Sequence, residues 1–147
     1  MNKKVVVLKL LNENDQKIID GLTLLTKMMF LYQQETETCL YTFTPGKYGP
    51  FSQDLYDDVL ELYESGYINI YDQGGRLGKE RNAYEITDTG QHVLQKIEKQ
   101  TQQEVSSDHI SELKSEWCDV DDLWKLLEHI HTEYPDMAKE PFIDSHP

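Results

Sequence analysis

Residues Lys47 to Ile68 read KYGPFSQDLYDDVLELYESGYI, and this stretch holds both ends of a helix and the entry to a strand. Ser52 stands as an N-cap, with Phe51 and Tyr56 placed for a hydrophobic staple across it, and Gly66 stands where a left-handed residue ends the helix. The helix is therefore expected over Gln53 to about Ser65. Leu55, Val59 and Leu62 recur at helical spacing, while Asp54, Asp57, Asp58, Glu61 and Glu64 fall between them on the opposite arc. One face is expected to be core and the other a bare acidic stripe.

A chain of 147 residues suits one domain with a tail. Its formal net charge is −13, and the acids are concentrated: residues 35–70 carry seven against one base, and residues 100–147 carry twelve against three. Such a field repels nucleic acid and anionic membranes, so contact with DNA needs a local basic patch. The opening MNKKVVVLKLL is too short an apolar run for a signal peptide or a membrane span, which points to a cytoplasmic protein without a membrane partner. In a reducing compartment Cys39 and Cys118 are expected to be buried thiols.

Along the chain, Val6, Val7, Leu10 and Leu11 predict a first helix over Lys3 to Glu13 with one buried face. GLTLLTKMMFLYQQ, from Gly21 to about Gln34, is apolar almost all round and predicts a central helix capped by Asp20. TCLYTFT, Thr38 to Thr44, reads as a short strand stopped by Pro45-Gly46. Beyond the acidic helix, Tyr67 to Tyr71 and Ala83 to Ile86 read as a hairpin whose long tip carries Arg76, Lys79 and Arg81. Thr87 caps a helix reaching about Gln103 through Val93, Leu94 and Ile97. After a break at Ser106-Ser107-Asp108, Ile110, Leu113 and Trp117 form one amphipathic set. A last helix, capped by Asp119, has a stripe of Val120, Leu123, Leu127 and Ile130, and Tyr134-Pro135 ends it.

No catalytic constellation stands out. The carboxylates fall on solvent-facing helical positions, and no acid and base are paired for proton transfer. Gly74, Gly75 and Gly78 lie between strands, which rules out a phosphate-binding loop. Cys118, His129 and His131 are close in sequence, but two residues apart on a helix the histidines diverge and cannot share a metal. The expectation is a protein that is not an enzyme and takes no cofactor.

The order helix, helix, short strand, helix, hairpin, helix is close to a winged helix-turn-helix. ESGYI followed by AYEITDTGQHVL resembles the end of the recognition helix, the wing and the Y-x-[LI]-T-x-x-G signature of PadR-like and MarR-like regulators. GLTLLTKMMFLYQ followed by KYGPFSQDLYDDV resembles the YwgA-like family and, more distantly, the Panacea or SocA-like antitoxin domain. LLEHIHTEYPD resembles the end of YwgA-like proteins.

These resemblances imply an α+β, winged helix-turn-helix domain over 1–104, a helical extension over 105–135 packing on that core or on a dimer partner, and a tail over 136–147. Two functional readings remain open. A regulatory, antitoxin-like or defence-associated interaction protein would bind a basic protein surface through Asp54, Asp57, Asp58, Glu61 and Glu64, with Lys47 and Tyr48 beside them. A DNA-binding transcriptional regulator would use Arg76, Lys79 and Arg81. The helix expected to enter the major groove carries five acids and no base, which argues against the second reading.

Overall fold

The first helix, α1 (Lys3–Asn12), has six apolar residues among the seven from Val5 to Leu11, and all seven are buried. In this computed structural model, which describes residues 3–13, 18–46, 49–72, 82–101, 107–117 and 123–137, α1 is a central element and not the one-faced helix expected. The elements packed around α1 cover its whole circumference, which periodicity alone does not reveal. Lys9, inside that run, donates to Glu13 Oε1 and Glu98 Oε2, both at 2.8 Å. At the end of the helix, Lys114 is 1% exposed and donates to the carbonyls of Leu11 (3.3 Å) and Glu13 (2.8 Å), which lack partners within the helix.

The second helix, α2 (Leu22–Thr36), is buried almost all round, as expected. Its N-cap is Gly21 at φ 111°, with no side-chain cap bond, in place of the expected Asp20. Asp20 instead ends a three-residue strand, β1 (Ile18–Asp20), which is too short to show alternation. Strand β1 pairs with β5 (Asn82–Ile86), which pairs with β4 (Ile68–Asp72), giving an antiparallel sheet in the order β1-β5-β4. The expected hairpin strands are therefore present, within a residue at each described end.

A second, two-stranded sheet joins β2 (Thr44–Gly46) to β3 (Gly49–Phe51). Pro45 and Gly46 thus lie within a strand, and residues 38–43 are not the strand expected there. Gln33 supplies the reason. Its Nε2 donates to the Tyr41 carbonyl at 3.1 Å, and its Oε1 accepts from the Tyr41 N–H at 2.8 Å. One buried side chain thereby replaces the partner strand.

Helix α3 (Gln53–Glu64) follows β3, and α4 (Asp88–Thr101) follows β5. Two further helices, α5 (Ser107–Trp117) and α6 (Leu123–Glu133), pack on α2, and a 3-10 turn (Pro135–Met137) follows. Leu25, Met29, Leu55, Val59, Leu62 and Ile86, the expected core, join Ile110, Leu113, Leu126 and Ile130 in one buried cluster. Of the expected stripe on α6, Ile130 joins this core and Leu127 is buried, while Val120 lies outside the described residues. Phe30 completes that seam, edge-on to Tyr134 at 5.0 Å between ring centres.

The protein is α+β, with six helices and two small antiparallel sheets among the described residues. Cys39 is exposed, contrary to the expected buried thiol, because residues 38–43 form a surface loop. Cys118, Asp119 and Val120 lie outside the described residues. None of the described helices is long and apolar enough to cross a membrane.

Candidate functional site

Local chemistry fixes both ends of α3. Ser52 Oγ accepts from the Leu55 N–H at 3.2 Å. At the other end the Tyr67 N–H donates to the Leu62 carbonyl and the Gly66 N–H to the Tyr63 carbonyl, both at 3.0 Å, with Gly66 at φ 82°. This is the paired bonding of a Schellman end, for which glycine's positive φ is suited. The expected staple does not bury Phe51, which is 40% exposed.

Between these ends the helix divides into three arcs. Leu55, Val59 and Leu62 face the core. Asp54, Asp57, Glu61 and Glu64 are exposed and, at 100° per residue, span about 80° of the circumference. The third arc holds half-buried Tyr56 and Leu60 with Tyr63, which is 48% exposed. The outward surface is therefore a row of carboxylates flanked by an aromatic strip.

Asp58 departs from expectation. It is only 9% exposed, and its Oδ2 accepts a hydrogen bond from the Tyr41 hydroxyl at 2.7 Å. Burial pushes the Tyr41 hydroxyl well above its ordinary pKa, and the bond to Asp58 adds to the shift. The Lys3 ammonium lies 4.8 Å from the centre of the Tyr41 ring, a cation–π contact. Beside it, Lys4 forms an ion pair with Glu61. The stripe is thus neither five exposed acids nor bare: one carboxylate is an internal anchor, and another carries a lysine from α1. A signal for Asp58 exists in the sequence, since it sits three residues after Leu55 and beside Val59, at the border of the apolar arc.

Tyr41→Phe keeps the ring under Lys3 but leaves Asp58 without its donor. It should cost about 1–3 kcal/mol in urea denaturation. A loss under about 0.5 kcal/mol would show that Asp58 does not depend on that hydroxyl.

Lys47 and Tyr48 lie outside the described residues, as do Arg76, Lys79 and Arg81. The structure therefore brings together Asp54, Asp57, Glu61 and Glu64 on one surface and withdraws Asp58 from it.

A separate open groove of about 580 Å³ lies where the end of α3 meets β4, β5 and the start of α4. Asn69, Glu85, Asp88 and Gln91 contribute to its lining, and Tyr71 donates to Glu85 Oε1 at 2.9 Å. Its described lining includes no cation for an anionic ligand. Among the described residues no group of three or more metal-ligating side chains comes together, and His129 stacks on Trp117 at 5.3 Å. No protein-family model matches the chain, and no curated protein matches it.

Proposed function

We propose that this chain is a non-catalytic winged helix-turn-helix protein of the cytoplasm that acts through a protein partner, presenting α3 to a basic surface on it. Support for the winged-helix part comes from topology. A short strand between α1 and α2 joins the two hairpin strands in the order β1-β5-β4, and α3 directly precedes that hairpin. In winged helices that read DNA, this is the helix laid in the major groove.

The observation that carries the functional part is the surface of α3. Asp54, Asp57, Glu61 and Glu64 point to solvent where a DNA reader would place phosphate- and base-contacting cations. A carboxylate beside a phosphate repels it and releases no counterion, whereas the same row attracts lysines and arginines of another protein. A regulatory, antitoxin-like role fits this arrangement, with Asp54, Asp57, Glu61 and Glu64 as contact residues and Asp58 holding the helix in place. The element order alone favours the alternative, a DNA-binding regulator.

Asp57→Lys with Glu64→Lys tests the reading, because both side chains are exposed and neither anchors α3. Affinity capture from the source cells should retain a partner with the wild type and lose it with the double variant, while the melting temperature moves by no more than about 2 °C. Equal recovery of every captured protein by both forms would refute the proposal.

A further inference from the structure

Lys27 lies in the middle of α2 and is 7% exposed, and its ammonium donates to the Pro50 carbonyl at 2.9 Å. Its Cε runs beneath Gly49, where an added Cβ would come within 3.1 Å of it. Gly49 and Pro50 lead through Phe51 into Ser52, the cap of α3. The other buried lysines among the described residues are held differently: Lys9 meets two carboxylates, and Lys114 reaches two carbonyls at the end of α1.

Charges on the neighbouring elements include Glu85 on β5, Glu112 and Lys114 on α5, Lys125 and Glu128 on α6, and Asp54 in the first turn of α3. Among the described residues none of them shifts the Lys27 amine; burial lowers its pKa from 10.5 to about 8.

We infer that Lys27 and the Gly49-Pro50 backbone form a protonation-linked latch that sets how firmly the entry to α3 is held. This goes beyond the proposed function, since it holds whatever α3 binds. When β3 lifts from α2 the amine is hydrated again and regains its ordinary affinity for a proton, so the proton favours the lifted state. Below about pH 8 both states are protonated and the latch is at its weakest. From about pH 8 toward 10.5 the latched state loses its proton first, and latching strengthens by roughly tenfold per pH unit. The neutral amine still donates one N–H to Pro50, so the contact survives deprotonation.

Carbon-detected NMR of the full chain, titrated from neutral pH into the alkaline range, tests this. The Lys27 Cε signal, the Pro50 carbonyl and the amides of Gln53 and Asp54 should share one midpoint near 8. Solvent exchange of the Leu55 and Tyr56 amides, which donate to Ser52 Oγ and to the Ser52 carbonyl, corrected for base catalysis, should slow by roughly tenfold per unit above it. In Lys27→Met the Pro50, Gln53 and Asp54 signals should no longer titrate. Lys27→Arg, which stays charged, should keep the exchange rates of the low-pH state, and it decides the matter with the wild type if Lys27→Met does not fold. A Lys27 midpoint at the ordinary 10.5, or titration of the α3 entry that persists in either variant, would overturn the latch.

Discussion

Gly90→Ala is expected to destabilise the protein by about 3 kcal/mol or more, although alanine is the better helix former by about 1 kcal/mol. Gly90 sits in the first turn of α4, where an added Cβ would fall well inside contact distance of the Tyr67 carbonyl oxygen and 2.9 Å from Ile86 Cγ1. Three bonds hold this approach. Thr87 N–H donates to the Tyr67 carbonyl at 3.0 Å, Thr87 Oγ donates to the Gly66 carbonyl at 2.7 Å, and Gly90 N–H donates to Thr87 Oγ at 3.0 Å.

The obstacle is backbone, which cannot swing aside as a side chain can. Relief requires moving α4 away from the end of α3 and breaking some of these bonds. The sign of the effect is therefore diagnostic. If α4 stood off from Tyr67, Gly90→Ala would be stabilising in urea denaturation. The same geometry gives a physical reason for the spacing Tyr84-x-Ile86-Thr87-x-x-Gly90. The strand ends in the core, the threonine ties the end of α3 to the start of α4, and the glycine permits their contact.

Leu55→Ala should cost about 2–5 kcal/mol, lowering the melting temperature by roughly 5–15 °C for a chain of this length. Leu55 is completely buried in the first turn of α3, between the Ser52 cap and the Asp58 anchor. Removing its side chain leaves a cavity that Val59 and Leu62, fixed one and two turns on, cannot close. A melt unchanged from wild type would mean that the inward arc of α3 has been misassigned, and the outward arc with it. The contrast with Asp57→Lys and Glu64→Lys on the opposite side, which should leave the melt nearly unchanged, makes the pair of experiments a map of the helix.

Where structure is decided within a few residues, it was legible in the sequence. Ser52, Gly66 and Thr87 mark boundaries through bonds to their own neighbours, and α3, the hairpin strands and the start of α4 fall where those residues place them. Where distant parts of the chain decide, it was not. Residues 38–43 have the composition of a strand, but Gln33, eight residues from Tyr41, satisfies the Tyr41 backbone. Helix α1 shows an amphipathic spacing, yet the elements packed around it bury its second face as well. Asp58 reads as one acid among five until the loop at Tyr41 reaches it. The surface of α3 was thus visible in outline, and the anchor that separates Asp58 from the exposed acids was not.

The central claim, that α3 offers a protein-binding and not a DNA-reading surface, is tested most directly by fluorescence anisotropy of the full chain with random-sequence duplex DNA at physiological salt. A winged helix that used α3 on DNA would show at least the non-specific dissociation constants of about 1–100 µM typical of DNA-binding proteins, with steep weakening as salt rises. No saturable binding is expected in that range. Saturable binding with a dissociation constant of about 100 µM or below, weakening steeply with salt, would contradict it.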